Sequence, residues 1–112
     1  MENRRYPRVA VDPQCRVRFQ LGDRCYGNIP IADLGAGGCC IRVPSQVAVG
    51  LAGQAPVESL ELIHPRLPQE PIKARIAWVH GADGASGTLE SGVQFLEVPA
   101  AYTQRITEFV RS

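Results

Sequence analysis

A chain of 112 residues, 45% hydrophobic and 21% charged, has room for one ordinary globular domain with a real core. No apolar run approaches the roughly 20 residues that a spanning helix needs, and no apolar signal region follows Met1-Glu2-Asn3-Arg4. Membrane insertion and export are therefore not expected, and the cytoplasm is the expected compartment. The net charge of +1 hides an asymmetry, because Arg4, Arg5, Arg8, Arg16, Arg18 and Arg24 meet only Glu2, Asp12 and Asp23 near the N-terminus. Local positive potential of this kind recruits small anions.

Val9-Ala10-Val11 reads as a short strand ended by the turn signal Asp12-Pro13. Arg16 to Leu21 alternates polar and apolar as a half-buried strand does, and Gly22-Asp23 offers a hairpin turn into Cys25 to Ile31. Pro30 cannot donate to a ladder, which predicts an edge or a bulge there. Gly35-Ala36-Gly37-Gly38 breaks the chain before a strand from Cys39 to Val43, and a looser stretch follows around Val49-Gly50. Strict alternation over Val57 to Ile63 would set Val57, Ser59, Glu61 and Ile63 on one face and Glu58, Leu60 and Leu62 on the other. Pro65, Pro68 and Pro71 mark a loop, after which Ile72 to His80 makes a long strand. Gly81-Ala82-Asp83-Gly84 turns it back into Thr88 to Leu96. Only the end changes period: Pro99 sits where a helix can begin, with Tyr102, Ile106, Phe109 and Val110 at helical spacing. Many short strands with frequent turns predict a barrel or sandwich, with one terminal amphipathic helix packed on it.

The cysteines Cys15, Cys25, Cys39 and Cys40 contain no C-x-x-C spacing, and adjacent strand residues point to opposite faces. No metal site is expected, and the cysteines are read as reduced residues filling small apolar gaps. His64 and His80 have no nucleophile or carboxylate at a spacing that suggests catalysis.

Two segments carry chemistry. Arg4-Arg5-Tyr6-Pro7-Arg8 has an R-x-x-x-R spacing, and guanidinium forks bind phosphate bidentately and stack on or bond to guanine. The same segment also reads as a solvated basic tail. In Ile31-Ala32-Asp33-Leu34-Gly35-Ala36-Gly37-Gly38, a carboxylate at a strand end precedes three glycines that let backbone approach a ligand. Asp33 there either accepts from a guanine's Watson–Crick edge or bonds its own backbone in a plain turn. The glycines do not form a dinucleotide-binding fingerprint, since a strand rather than a helix follows them.

Taken with Gly92-Val93-Gln94-Phe95, these segments resemble the PilZ family, whose signature is R-x-x-x-R, then D/N-x-S-x-x-G, then a late G-x-x-F strand. Arg4 and Arg8 match the arginine pair, Arg5 is a common extra one, and Asp33 and Gly38 match the outer positions of the second motif. The family's serine is Gly35 here. The resemblance implies an all-β fold: an antiparallel six-stranded barrel over residues 9–112 with a short C-terminal helix, preceded by a flexible arginine-rich clamp over residues 1–8. It further implies a receptor for cyclic di-GMP, a ligand and not a cofactor, with no enzymatic activity. Arg4 and Arg8 would grip phosphate and the guanine major-groove edge, Arg5 would add charge or stack, and Asp33 would read the guanine amines. Gly35 and Gly38 would cradle the nucleotide. Trp78 reads either as a core indole, sharing a face with Ala74 and Ile76, or as a rim contact, while Gly92 and Phe95 read as closure and core. Output would pass to an unidentified effector protein. Two other readings stay open: a PilZ-like interaction module without the ligand, and a small barrel binding RNA or single-stranded DNA. Nucleic acid is not expected, because only Tyr6 and Phe19 could stack bases among the basic residues.

Overall fold

A computed structural model describes residues 9–11, 14–44, 53–81 and 87–111. The arginine segment 1–8, the Asp12-Pro13 turn, the stretch around Val49-Gly50 and most of the turn at 81–84 lie outside the described residues. The elements are β1 (Val9–Ala10), β2 (Arg16–Leu21), β3 (Arg24–Gly35), β4 (Gly38–Pro44), β5 (Pro56–Ile63), β6 (Ile72–Gly81), β7 (Thr88–Leu96) and α1 (Ala100–Arg111).

Every pairing is antiparallel, and the six longer strands close on themselves in the order β3-β2-β5-β6-β7-β4 and back to β3. The expected six-stranded barrel with a C-terminal helix is what forms. Closure depends on the length of β3: its first part pairs with β2 and its last part with β4. The two-residue β1 joins β3 on the same edge as β2, with Val9 opposite Leu34 and Ala10 opposite Asp33.

The alternation of β2 has the effect its sequence suggests: Val17, Phe19 and Leu21 are buried while Arg18 and Gln20 are exposed. Phe19 stacks on Tyr26 across β2 and β3 with ring centroids 4.8 Å apart. Leu34, Ile41, Leu60, Leu62, Ile76 and Val93 fill the centre, so each long strand contributes to one core. Gly22 takes φ 62° in the two-residue turn between Leu21 and Arg24, a conformation that costs glycine little. Pro30 stands just before β3 changes partner, and Asn28, with φ 57°, lies in the irregularity between the Val17–Ile29 and Phe19–Tyr26 pairs.

Two readings need correction. In β5 a register shift between Val57 and Leu60 brings Val57 into the core with Leu60 and Leu62, so the strict two-face alternation fails there. Among the cysteines, Cys15, Cys39 and Cys40 are buried, but Cys25 is exposed on the outer side of β3 and fills no gap.

Helix α1 begins where expected, with the Thr103 N–H donating to the Pro99 carbonyl at 3.0 Å. Tyr102 and Ile106 enter the barrel core, and Phe109 and Val110 pack against it. Phe109 meets the buried His64 ring edge-on at 4.6 Å, with the Arg66 guanidinium 5.2 Å from its centroid. These contacts tie the helix to the loop after β5. No helix among the described residues is long and apolar enough to cross a membrane.

Candidate functional site

The register of the closed barrel assembles residues that are far apart in sequence. Asp33 pairs with Cys40, Cys40 with Gly92, and Gly92 with Trp78, which makes one row across β3, β4, β7 and β6. Their strand neighbours Leu34, Cys39 and Val93 belong to the core, so the row lies on the outer face. The next row is Gly35, Gly38, Gln94 and Arg75. On the other side, Arg42 pairs with Glu90, which pairs with His80. The Arg42 Nε donates to the Glu90 Oε2 at 3.5 Å.

Trp78 is where the sequence misleads. Ala74 and Ile76 are buried, but the β6–β7 register shifts between Ile76 and Trp78, which puts the indole on the outside. It is 39% exposed and is therefore not a core residue. The Ser91 hydroxyl donates to the Trp78 carbonyl at 3.0 Å and pins the irregular backbone. The indole lies directly on Gly92, in the space a Cβ at that position would need. An aromatic face thus rests on the sheet surface in the same row as a carboxylate.

The glycine turn is equally well placed. The Phe95 N–H donates to the Gly37 carbonyl at 2.9 Å, which fastens the β3–β4 turn onto β7. A Cβ at Gly38 would run into the Val93 carbonyl, so this glycine is required by the close approach of β4 and β7 whatever else it touches. Gly35 lies in β3 opposite Gly38, and its φ is not in the left-handed region. Cys40, between Asp33 and Gly92, is only 7% exposed although it stands outside the core cluster. Phe95 is a core residue, as read.

Of the site residues read from sequence, Asp33, Gly35, Gly38 and Trp78 come together on one outer face. Arg4, Arg5 and Arg8 lie outside the described residues. Pairing of Val9 with Leu34 nevertheless fixes where the chain enters the barrel, directly beside Asp33 and Gly35. Sequence reasoning missed Arg75, Gln54 and Gln94. The Arg75 Nε donates to the Gln94 Oε1 and its Nη1 to the Gln54 Oε1, both at 2.6 Å. Only their outward alternation marks Arg75 and Gln94 in the sequence, and nothing marks Gln54. Among the described residues no group of three His, Cys, Asp or Glu side chains could hold a metal ion.

The family described as PilZ domain matches residues 2–112 of the chain. A comparison with curated proteins finds no match. Among solved structures, YcgR from Escherichia coli in complex with c-di-GMP shares 16% identity at a TM-score of 0.77, over 98% of this chain and 45% of that one. The MrkH–c-di-GMP complex of K. pneumonia shares 18% identity at a TM-score of 0.79, over 99% and 52%. The Bacillus subtilis inhibitor of motility, MotI/DgrA, shares 15% identity at a TM-score of 0.77, over 99% and 51%. The chain spans about half the length of these structures, and at such identities the likeness is one of fold.

Proposed function

Since the chain belongs to the PilZ domain family, we propose that it is a receptor for cyclic di-GMP, bound on the outer face of β3, β4, β7 and β6. The observation that supports this reading is the row Asp33–Cys40–Gly92–Trp78, which has a carboxylate at one end and an exposed indole at the other. Trp78 stacks on one base, and Asp33 accepts from the N1–H and amino group of a guanine. Arg4, Arg5 and Arg8 supply the guanidinium groups for phosphate and the guanine major-groove edge. An extended chain spans at most about 3.6 Å per residue, which bounds Arg8 to about 4 Å and Arg4 to about 18 Å from Val9 along the backbone. In this proposal residues 1–8 are the ligand-gripping segment and residues 9–112 the barrel.

The protein works by binding, with no chemical step assigned to any residue, and it passes the signal to an effector protein in the cytoplasm. YcgR and MrkH, which have been solved with c-di-GMP, support the choice of ligand through a shared fold. Gly35, standing where the family has serine, favours a second reading, an interaction module that has lost the ligand. Calorimetry with cyclic di-GMP, GTP and an RNA oligomer separates these. Binding of cyclic di-GMP alone is expected, and no binding of it would leave the interaction module.

A further inference from the structure

Arg75 differs from Arg42 on β4 and from Lys73, its neighbour on β6. Arg42 is neutralised by Glu90 and Lys73 by Glu97, and on β2 Arg18 is neutralised by Glu61. Arg75 is instead held by the neutral side-chain carbonyls of Gln94 and Gln54. Among the described residues no carboxylate pairs with it, so its charge is oriented but uncompensated.

The holding is elaborate. Gln54 adopts φ 71°, a left-handed conformation that glutamine takes at a cost. It is kept there by its N–H donating to the Ile76 carbonyl at 2.6 Å and by the Ile76 N–H donating to the Ala55 carbonyl at 2.8 Å. Gln94 is fixed in register between Gly38 and Arg75. With Nε and one hydrogen of Nη1 engaged, the Nη2 donors and the remaining Nη1 hydrogen are left for a partner. Along β6, Arg75 is the outward neighbour of Trp78, and across the sheet it shares a row with Gly38 and Gly35.

We infer that Arg75 is a ligand-binding residue, which presents its fixed guanidinium edge to a phosphodiester of cyclic di-GMP seated between Trp78 and the glycine turn. The assignment rests on the receptor reading above. A guanidinium locked in advance loses little side-chain freedom on binding, which is the advantage of holding it with two neutral acceptors.

The test is calorimetry of the whole chain with cyclic di-GMP at low and high salt, for wild type, Arg75→Gln and Arg75→Lys, with a melting curve for each. Arg75→Gln is expected to bind at least about ten-fold more weakly, as for loss of a charge-assisted hydrogen bond, and with a shallower salt dependence. Arg75→Lys is expected to keep the salt dependence at an intermediate affinity, since the charge remains without the fork. If Arg75→Gln fails to fold, Arg75→Lys decides: weaker binding with unchanged melting supports the assignment, and wild-type affinity overturns it. Wild-type affinity and salt dependence in Arg75→Gln would overturn the role of Arg75 and leave the receptor reading intact. Absence of binding by the wild type would overturn both.

Discussion

The indole of Trp78 occupies the position that a side chain at Gly92 would take. The obstacle to a larger residue at 92 is thus an exposed ring that can swing away. Gly92→Ala is expected to cost little stability, within about 1 kcal/mol, while displacing the ring. The chain has one tryptophan, so its emission reports that displacement directly. Cyclic di-GMP binding should weaken by about the 1–3 kcal/mol worth of base stacking. An unchanged emission spectrum would contradict the contact.

Gly38 makes the opposite case, because the atom in the way is the Val93 carbonyl. Backbone cannot step aside without opening β4 from β7, so Gly38→Ala should destabilise the barrel by about 1–3 kcal/mol. Chemical denaturation of wild type and variant measures this. A variant as stable as wild type would return Gly38 to a purely ligand-facing role.

The arginines before β1 should behave differently from either glycine. Arg4→Ala and Arg8→Ala are each expected to lose most cyclic di-GMP affinity, about 1.5–3 kcal/mol per charge-assisted contact, with unchanged melting. Equal affinity in all three proteins would remove them from the site.

Gly35 lacks the left-handed φ that would penalise a side chain, so serine can be placed there without backbone strain. Gly35→Ser is expected to raise affinity by about 0.5–1.5 kcal/mol, the net worth of one hydrogen bond. Tighter binding supports the cradle, and a variant that binds no better favours the ligand-free module.

Burial pushes the Tyr102 hydroxyl up to about 12, with the Glu70 carboxylate adding to the rise and the Leu62 backbone opposing it. Its oxygen is buried, and no partner among the described residues meets full hydrogen-bond geometry. The folded chain therefore holds this proton where the unfolded chain, near pH 10, has begun to lose it. Stability should fall between about pH 10 and 12, and the fall should be shallower in Tyr102→Phe. At neutral pH the phenylalanine variant should be at least as stable, since it buries no hydroxyl.

The positions of most strands along the chain and of the terminal helix were legible because alternation and helical spacing are local signals, as in Val17, Phe19 and Leu21 or in Tyr102 and Ile106. Asp33 and the glycine turn were legible as a motif. The core reading of Trp78 and the strict alternation at Val57 failed for one reason: a register shift adds a residue to one strand and reverses the face of what lies beyond it, which local alternation does not reveal. Arg75 and Gln54 were invisible because their meeting is a product of barrel closure, across 21 positions of sequence.

The break in β3 also governs how copies of the chain can meet. While its last residues are paired on both sides, by β1 and β4, the outer edge of residues 24–30 has no strand partner among the described residues. An open edge is a template for adding a foreign strand. Here Pro30 offers that edge no N–H, and Asn28 bends it out of extended geometry. A neighbouring chain that tried to zip onto the barrel would find the ladder interrupted after a few residues. The irregularity that lets β3 change partners thus also guards this unpaired flank against strand-by-strand aggregation.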